Sequence, residues 1–240
     1  MKIDILSLFP KFFDSPFDVS IIKRAIDKNI LDINLVDIRS FSKDKHQKVD
    51  DRPFGGGPGM LMQCQPLFDA IRSVKKDNTH VVYLSPQGKP LTSTRAKRLA
   101  TKEHLVLVSG HYEGIDQRVI DTLIDEEISV GDYVLTNGCI ASLVVLDSVS
   151  RFIPKVLGNE DATKHETFEN NMFEGPQYTK PTNFEDKQVP EVLLSGNHLE
   201  IKKYKEKEAL IKMKKVRPDL YFKYRLEQKQ TKVKKVVKTS

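Results

Sequence analysis

His104-Leu105-Val106-Leu107-Val108-Ser109-Gly110-His111-Tyr112-Glu113-Gly114-Ile115-Asp116 joins an unbroken apolar run to a loop punctuated by two glycines. An apolar run without polar alternation reads as a strand buried on both faces, the habit of strands in parallel sheets. The same pairing of apolar run and glycine loop occurs at His80–Leu84 before Ser85-Pro86-Gln87-Gly88, and at Glu127–Val130 before Gly131–Gly138. Lys2–Leu8 and Leu31–Asp37 are two further strand candidates. Between the strands, helices are predicted over Val19–Lys28, with Val19, Ile22 and Ile26 on one face, and over Gln65–Val74. Others are predicted over Ser93–Thr101, with Ser93 as its cap, Ile115–Ile124 and Ile140–Phe152. Strand-then-helix alternation predicts an α/β fold, a mostly parallel sheet with helices on both faces.

The alternation stops near Leu157. Residues 158–171 (GNEDATKHETFENN) are polar and charged, which predicts a flexible interdomain linker over 158–173. A small, mainly helical second domain is expected over 174–240, with Leu194, Leu199, Ile201, Tyr204, Leu210, Ile211 and Met213 as its core and Pro218 ending one helix. Charge divides along the same line. Residues 202–240 hold 15 Lys and Arg against 4 Asp and Glu, a net of +11, which leaves −5 for residues 1–201. A mildly acidic body with a basic C-terminal segment points that segment toward a polyanion, nucleic acid first, with a solvated helix and frayed tail as the plain alternative. No apolar stretch is long enough to span a membrane, and the N-terminal run ends at Pro10, Lys11 and Asp14. Cys64 and Cys139 make neither a disulfide framework nor a four-thiolate zinc site, and a reduced, cytoplasmic protein without a structural metal is expected.

The chemistry-bearing segments are loops. Asp50-Asp51-Arg52-Pro53-Phe54-Gly55-Gly56-Gly57-Pro58-Gly59-Met60 permits close backbone approach to a ligand. It lacks both the Lys-Ser/Thr of a phosphate-binding loop and the glycine spacing of a dinucleotide fingerprint. Singly, each of the other three loops reads as an ordinary βα turn. Placed at the C-terminal ends of parallel strands, they can line one nucleoside-sized pocket.

Seven stretches together carry a resemblance. They are DDRPFGGGPGM (50–60), YLSPQG (83–88), GHYEGID (110–116), ISVGDYVLTNG (128–138), SRFIPKVLG (150–158), QYTKP (177–181) and VPEVLLSGNH (189–198). In this order and spacing the chain closely resembles the bacterial tRNA (guanine-N1)-methyltransferases of the SPOUT class over nearly its whole length. That resemblance implies a deep trefoil knot in the first domain, a rare exception to unthreaded chains. It implies S-adenosylmethionine held by Tyr83, Leu84, Ser85, Gly110, Val130, Gly131, Asp132, Tyr133, Val134, Leu135 and Gly138. It also implies tRNA as partner, a homodimer with shared sites, and methylation of N1 of the guanosine just 3′ of the anticodon. Arg151 would be the donor to guanine O6, Glu166 the base, and Glu113 a helper in placing the base, with a magnesium ion as a further option. His46, Arg52, Gly55 and Gly59 would meet the substrate, while His111 would only position its neighbours and His198 would cap a helix.

The chain departs from the family at the base. Glu166-Thr167-Phe168 stands where aspartate is usual, so the carboxylate is set one methylene further out, and Asp161 is the weaker substitute. Asn137 and Cys139 also replace a glycine and an acidic residue. An RNA-binding or assembly factor that kept the fold and lost catalysis would explain Glu166, but not the retention of Arg151, Glu113 and the cofactor loops. Methylation of a ribose or another base is opposed by the match through the C-terminal domain.

The basic segment makes a prediction of its own. Each phosphate neutralised releases counterions, so log affinity for tRNA falls linearly with log salt. Deleting residues 228–240 is expected to flatten that slope in filter-binding titrations; an unchanged slope and affinity would assign the tail to solvent.

Overall fold

The structure, a computed structural model, describes residues 1–159, 163, 166–168 and 171–237, with side chains to residue 230. The chain divides into two compact units, Met1–Glu160 and Asp161–Ser240. In the first unit the elements run β1 (Lys2–Ser7), α1 (Asp14–Phe17), α2 (Ser20–Asp27), β2 (Asp32–Asp37), β3 (Asp50–Asp51) and β4 (Leu61–Met62). They continue with α3 (Cys64–Val74), β5 (Thr79–Pro90), α4 (Ser93–Ala100), β6 (His104–Ser109), α5 (Gln117–Leu123), β7 (Glu126–Ser129) and α6 (Gly138–Ser150).

Five strands form one sheet in the order β2-β1-β6-β5-β7, and every neighbouring pair is parallel. Side chains alternate across it. Ile3, Ile5, Val82, Leu84, Leu105, Leu107 and Ile128 meet Ile22 and Ala25 of α2, Leu99 of α4 and Val145, Leu146 and Val149 of α6. On the opposite face Leu6, Val36, Val81, Tyr83, Val106 and Val108 meet Leu67, Ala70 and Ile71 of α3 and Val119 and Leu123 of α5. Two covered faces explain why all of β6 is buried and why its sequence shows no polar alternation.

Several expectations are corrected. Ser85–Gly88 is not a βα turn. The strand continues to Pro90, and both Leu84 and Lys89 pair with Ile128, so residues 85–88 bulge from a strand that re-enters the sheet. Gly88 allows the re-entry, since a Cβ there would lie 2.5 Å from the Ile128 nitrogen. Thr92, not Ser93, caps α4 by accepting the Arg95 N–H. Val19 lies outside α2 and is exposed, and Ala25 takes the core position beside Ile22. The helix predicted over Ile115–Ile124 begins only at Gln117, after the Asp116 cap.

The second unit holds an antiparallel hairpin, β8 (Asn183–Phe184) with β9 (Lys187–Gln188), then α7 (Glu191–Leu194), α8 (His198–Val216) and α9 (Pro218–Val237). Asn197, not His198, caps α8, its Oδ1 accepting the Leu199 and Glu200 N–H groups at 3.2 and 3.3 Å. Pro218 opens α9, at a position where a missing N–H costs nothing. Of the predicted core, Met213 is fully buried, joined by Ala209, whereas Leu194, Leu199 and Ile211 are exposed.

A polar network lies near the strand starts. Asp4 is wholly buried and accepts hydrogen bonds from Asn34 Nδ2 at 2.6 Å and His104 Nε2 at 2.5 Å, while His104 Nδ1 meets Thr79 Oγ1 at 2.8 Å. Asp4→Ala strands the buried His104 ring and is expected to cost about 3 kcal/mol in urea unfolding. A parental unfolding midpoint would contradict that.

Candidate functional site

The bulge of β5 and the loops at the C-terminal ends of β6 and β7 enclose a cavity of about 400 Å³. Tyr83, Leu84 and Ser85 come from β5 and its bulge, Gly110 through Ile115 follow β6, and Val130, Gly131 and Tyr133 to Gly138 follow β7. Asn137 orients the last loop by capping α6, its Oδ1 accepting the Cys139 N–H at 2.9 Å. The Gly138 N–H donates to the Gly110 carbonyl at 2.8 Å, which ties the start of α6 to the end of β6. The two glycines leave the room. A Cβ on Gly110 would lie 2.9 Å from the Tyr83 ring, and one on Gly138 would lie 2.8 Å from the Gly110 nitrogen.

The glycine-rich segment is fastened to the same wall. Glu113 N–H donates to Met60 O at 3.0 Å, Met62 N–H to Gly114 O at 3.0 Å, and Asp116 N–H to Met62 O at 3.1 Å. Gly59, at φ +82°, lies against Glu113, where a Cβ would come within 2.5 Å of the carboxylate side chain. The loop tip is open, with nothing within 4 Å of the Cβ positions of Gly55, Gly56 and Gly57.

Burial, followed by the Glu127 carboxylate, pushes the Tyr83 hydroxyl up to about 12, so it stays a donor at neutral pH. Burial and then Arg39 push His111 down to about 4, so its ring is neutral there. His111 packs edge-on against Phe9 and lies 3.8 Å from Cys139 Sγ, which in turn contacts Ser7 Oγ at 3.3 Å. Cys139 is therefore a core residue, its thiol pushed up by burial.

Of the residues expected at the cofactor, Tyr83, Leu84, Ser85, Gly110, Val130, Gly131, Tyr133, Val134, Leu135 and Gly138 converge on the cavity; Asp132 is exposed and does not line it. Glu113 lines it as well. Arg151 does not; it follows the last turn of α6, whose first residue is at the cavity. Thirteen helical residues put those two ends roughly 20 Å apart. His46 and Arg52 are exposed, their backbone N–H groups held by Asp44 and Asp51 carboxylates. Glu166 is half-buried in the second unit, before a turn closed by Phe168 N–H to Met172 O at 2.8 Å. Asp161 lies outside the described residues. Pro86 and Gln87, in the loop expected to line the pocket, do so, whereas sequence reading passed over Gln117, Ile120, Glu127 and Ala141, which also line the cavity. Gln117, Ile120 and Ala141 lie in the first turn of helices, and loop motifs carry no signal for them. Among the described residues, no group of three or more His, Cys, Asp or Glu side chains is placed to hold a metal ion. No described helix is long and apolar enough to cross a membrane.

Fold and site define a class: an α/β protein whose ligand cavity lies at the C-terminal edge of a parallel sheet. Comparison with known proteins narrows it. The family described as tRNA (Guanine-1)-methyltransferase TrmD matches residues 1–223, and the chain belongs to that family. It is similar to the tRNA (guanine-N(1)-)-methyltransferase of Protochlamydia amoebophila, 54% identical over 220 residues that cover 92% of this chain and 99% of the relative. The protein of the same name from Ruminiclostridium cellulolyticum is 50% identical over 224 residues, covering 92% and 96%. A Chlamydia pneumoniae relative is 54% identical over 224 residues, and there the chain spans only 62% of the longer protein.

The depressed His111 sets a pH window. Its folded value near 4 lies below the ordinary 6.5, so the unfolded chain takes up the proton first as pH falls. The stability this contributes is present above pH ~6.5 and is lost between there and pH ~4, by roughly 3 kcal/mol at most. His111→Gln is expected to flatten the pH dependence of urea unfolding across that window; an unaltered profile would show that His111 titrates normally.

Proposed function

We propose that the chain transfers a methyl group from S-adenosylmethionine to N1 of the guanosine 3′-adjacent to the anticodon, position 37, in tRNA. The observation that carries this is the convergence of three loops on one glycine-lined cavity within a chain belonging to this family. The cavity suits an adenosine-bearing ligand: it is nucleoside-sized, its two glycines leave open what a Cβ would fill, and it offers backbone polar groups beside Tyr83. When bound, S-adenosylmethionine supplies a methyl group on a positively charged sulfur. Val130, Gly131, Tyr133, Val134 and Leu135 then form one wall, and Gly110 and Tyr83 the other. In this reading the first unit carries the deep trefoil knot that the resemblance implies.

Guanine N1 is protonated and a poor nucleophile, so transfer needs a base at N1 and a donor at O6. Glu166 takes the N1 proton onto its carboxylate. The N1 electron pair forms the new N–CH₃ bond, and the electrons of the broken S–CH₃ bond stay on sulfur. Arg151 steadies charge on O6. Glu113, against Gly59, holds the glycine-rich segment at the mouth, where Gly55, His46 and Arg52 meet the RNA. Glu113 alone does not make a magnesium centre.

The position of Arg151, a helix length from its own cavity, favours a homodimer in which it and Glu166 serve the partner's cavity. Helix α6 supports the same reading. It carries one charged residue, Asp147, yet exposes Ile140 and Val144 one turn apart, as an unpaired packing face would.

Labelled S-adenosylmethionine with unmodified tRNA tests the proposal, with the methylated nucleoside mapped; label at another base or on ribose would refute it. Glu166→Gln is expected to slow single turnover roughly 10²-fold or more, while Glu166→Asp keeps far more activity. Mixing Glu166→Gln with Gly110→Trp should restore roughly a quarter of parental activity if random protomer exchange rebuilds one shared site. A mixture as inactive as its components would place base and cavity in one protomer.

A further inference from the structure

The motifs QYTKP and VPEVLL have no part in the chemistry above, yet the second unit folds them around a cavity of its own, about 410 Å³. Its floor is apolar, from Val189, Leu193, Leu194 and Ile201. Its rim carries the Tyr178 ring, half exposed, and the ammonium groups of Lys180 and Lys205. Among the described residues lining it there is no carboxylate. Such a cavity repels acidic peptides less than it attracts them, but it also offers an aromatic face and hydroxyls from Thr179 and Thr182, the combination that suits a nucleotide.

The site is built rather than incidental. Gly175 packs against Lys205, where a Cβ would lie 2.6 Å from the lysine Cβ and 2.7 Å from its backbone, so the 176–182 segment is seated directly on α8. Lys205 Nζ donates to Gln177 Oε1 at 3.5 Å, a long contact that leaves its other two donors for a ligand. The Tyr204 hydroxyl is pushed above the usual tyrosine range, by burial first and then by the Tyr178 hydroxyl, which therefore stands close to α8. The occupant follows from charge. This cavity opens from α8, the start of the segment with net +11, and the polyanion already required by the proposed function is tRNA.

We propose that the second-unit cavity is an RNA subsite taking one unstacked nucleotide of the substrate tRNA, its base against Tyr178 and its phosphate on Lys180 and Lys205. The inference rests on the tRNA-methylating reading and assigns a task to residues that reading leaves unused. The subsite binds and does not react, so its loss falls on KM and not on kcat.

The test uses the full chain and unmodified tRNA. In Lys180→Gln/Lys205→Gln, KM for tRNA is expected to rise on the order of tenfold, with kcat unchanged and the log–log salt slope reduced by about 1 to 2. Tyr178→Ala is expected to raise KM by roughly 5- to 100-fold, whereas Tyr178→Phe, which keeps the ring, stays parental. A benzophenone amino acid at position 178 should crosslink to the tRNA. Parental KM and salt slope in the lysine pair and in Tyr178→Ala would overturn the proposal. So would a fall in kcat alone, or a crosslink to a second copy of the chain instead of RNA. If the parent chain transferred no methyl group, the enzymatic reading would fail by itself, and direct filter binding of tRNA to the same variants would still decide the subsite.

Discussion

The Gly138 N–H reaches the Gly110 carbonyl at 2.8 Å, a backbone-to-backbone approach possible because Gly138 carries no Cβ. Most of the site depends on it. The contact fixes the first turn of α6 against the end of β6, so the seven residues from Gly131 to Asn137 must arch over the space between. Gly110 in turn lies against the Tyr83 ring, which brings β5 to the same point. These contacts draw residues from three neighbouring strands to one point.

The sheet was legible because its signal is one-dimensional. All five strands were found within a residue or two at their starts: burial on both faces leaves an unbroken apolar run at His104–Ser109, and the edge strand β2 shows the alternation of a strand covered less fully. What escaped was whatever depends on a neighbour in space. The re-entry of β5 after its bulge is set by pairing with Ile128, and no local residue preference announces it. The caps at Thr92 and Asn197 differ from the expected Ser93 and His198 by one residue, the usual scale of ambiguity where several polar residues adjoin. In the second unit the apolar residues are too sparse for periodicity to separate Met213, fully buried, from Ile211, half exposed, on the same helix.

The candidate site was legible to a similar degree and for a related reason. Loop glycines mark places where backbone approaches something closely, so Gly110, Gly131 and Gly138 indicated the cavity before any coordinates did. Helix-borne lining residues gave no such mark. Nor could spacing along the chain show that Arg151 stands a helix away from the cavity that its neighbours in sequence help to build. Distance through a helix is a property of the folded chain, and it changes the stoichiometry expected of a working site.

The bulge in β5 also fixes a length. Surface loops ordinarily tolerate gain or loss of residues. Here both borders of the Ser85–Gly88 segment pair with the same residue of β7, and the chain beyond it returns to a ladder in which Pro90 faces Ser129. Removing one residue would turn every following side chain of the strand to the opposite face and displace the Thr92 cap from α4. This stretch should therefore refuse insertions and deletions among relatives, and hold Gly88 against Ile128, behaving in an alignment like core although it stands at the surface of a cavity.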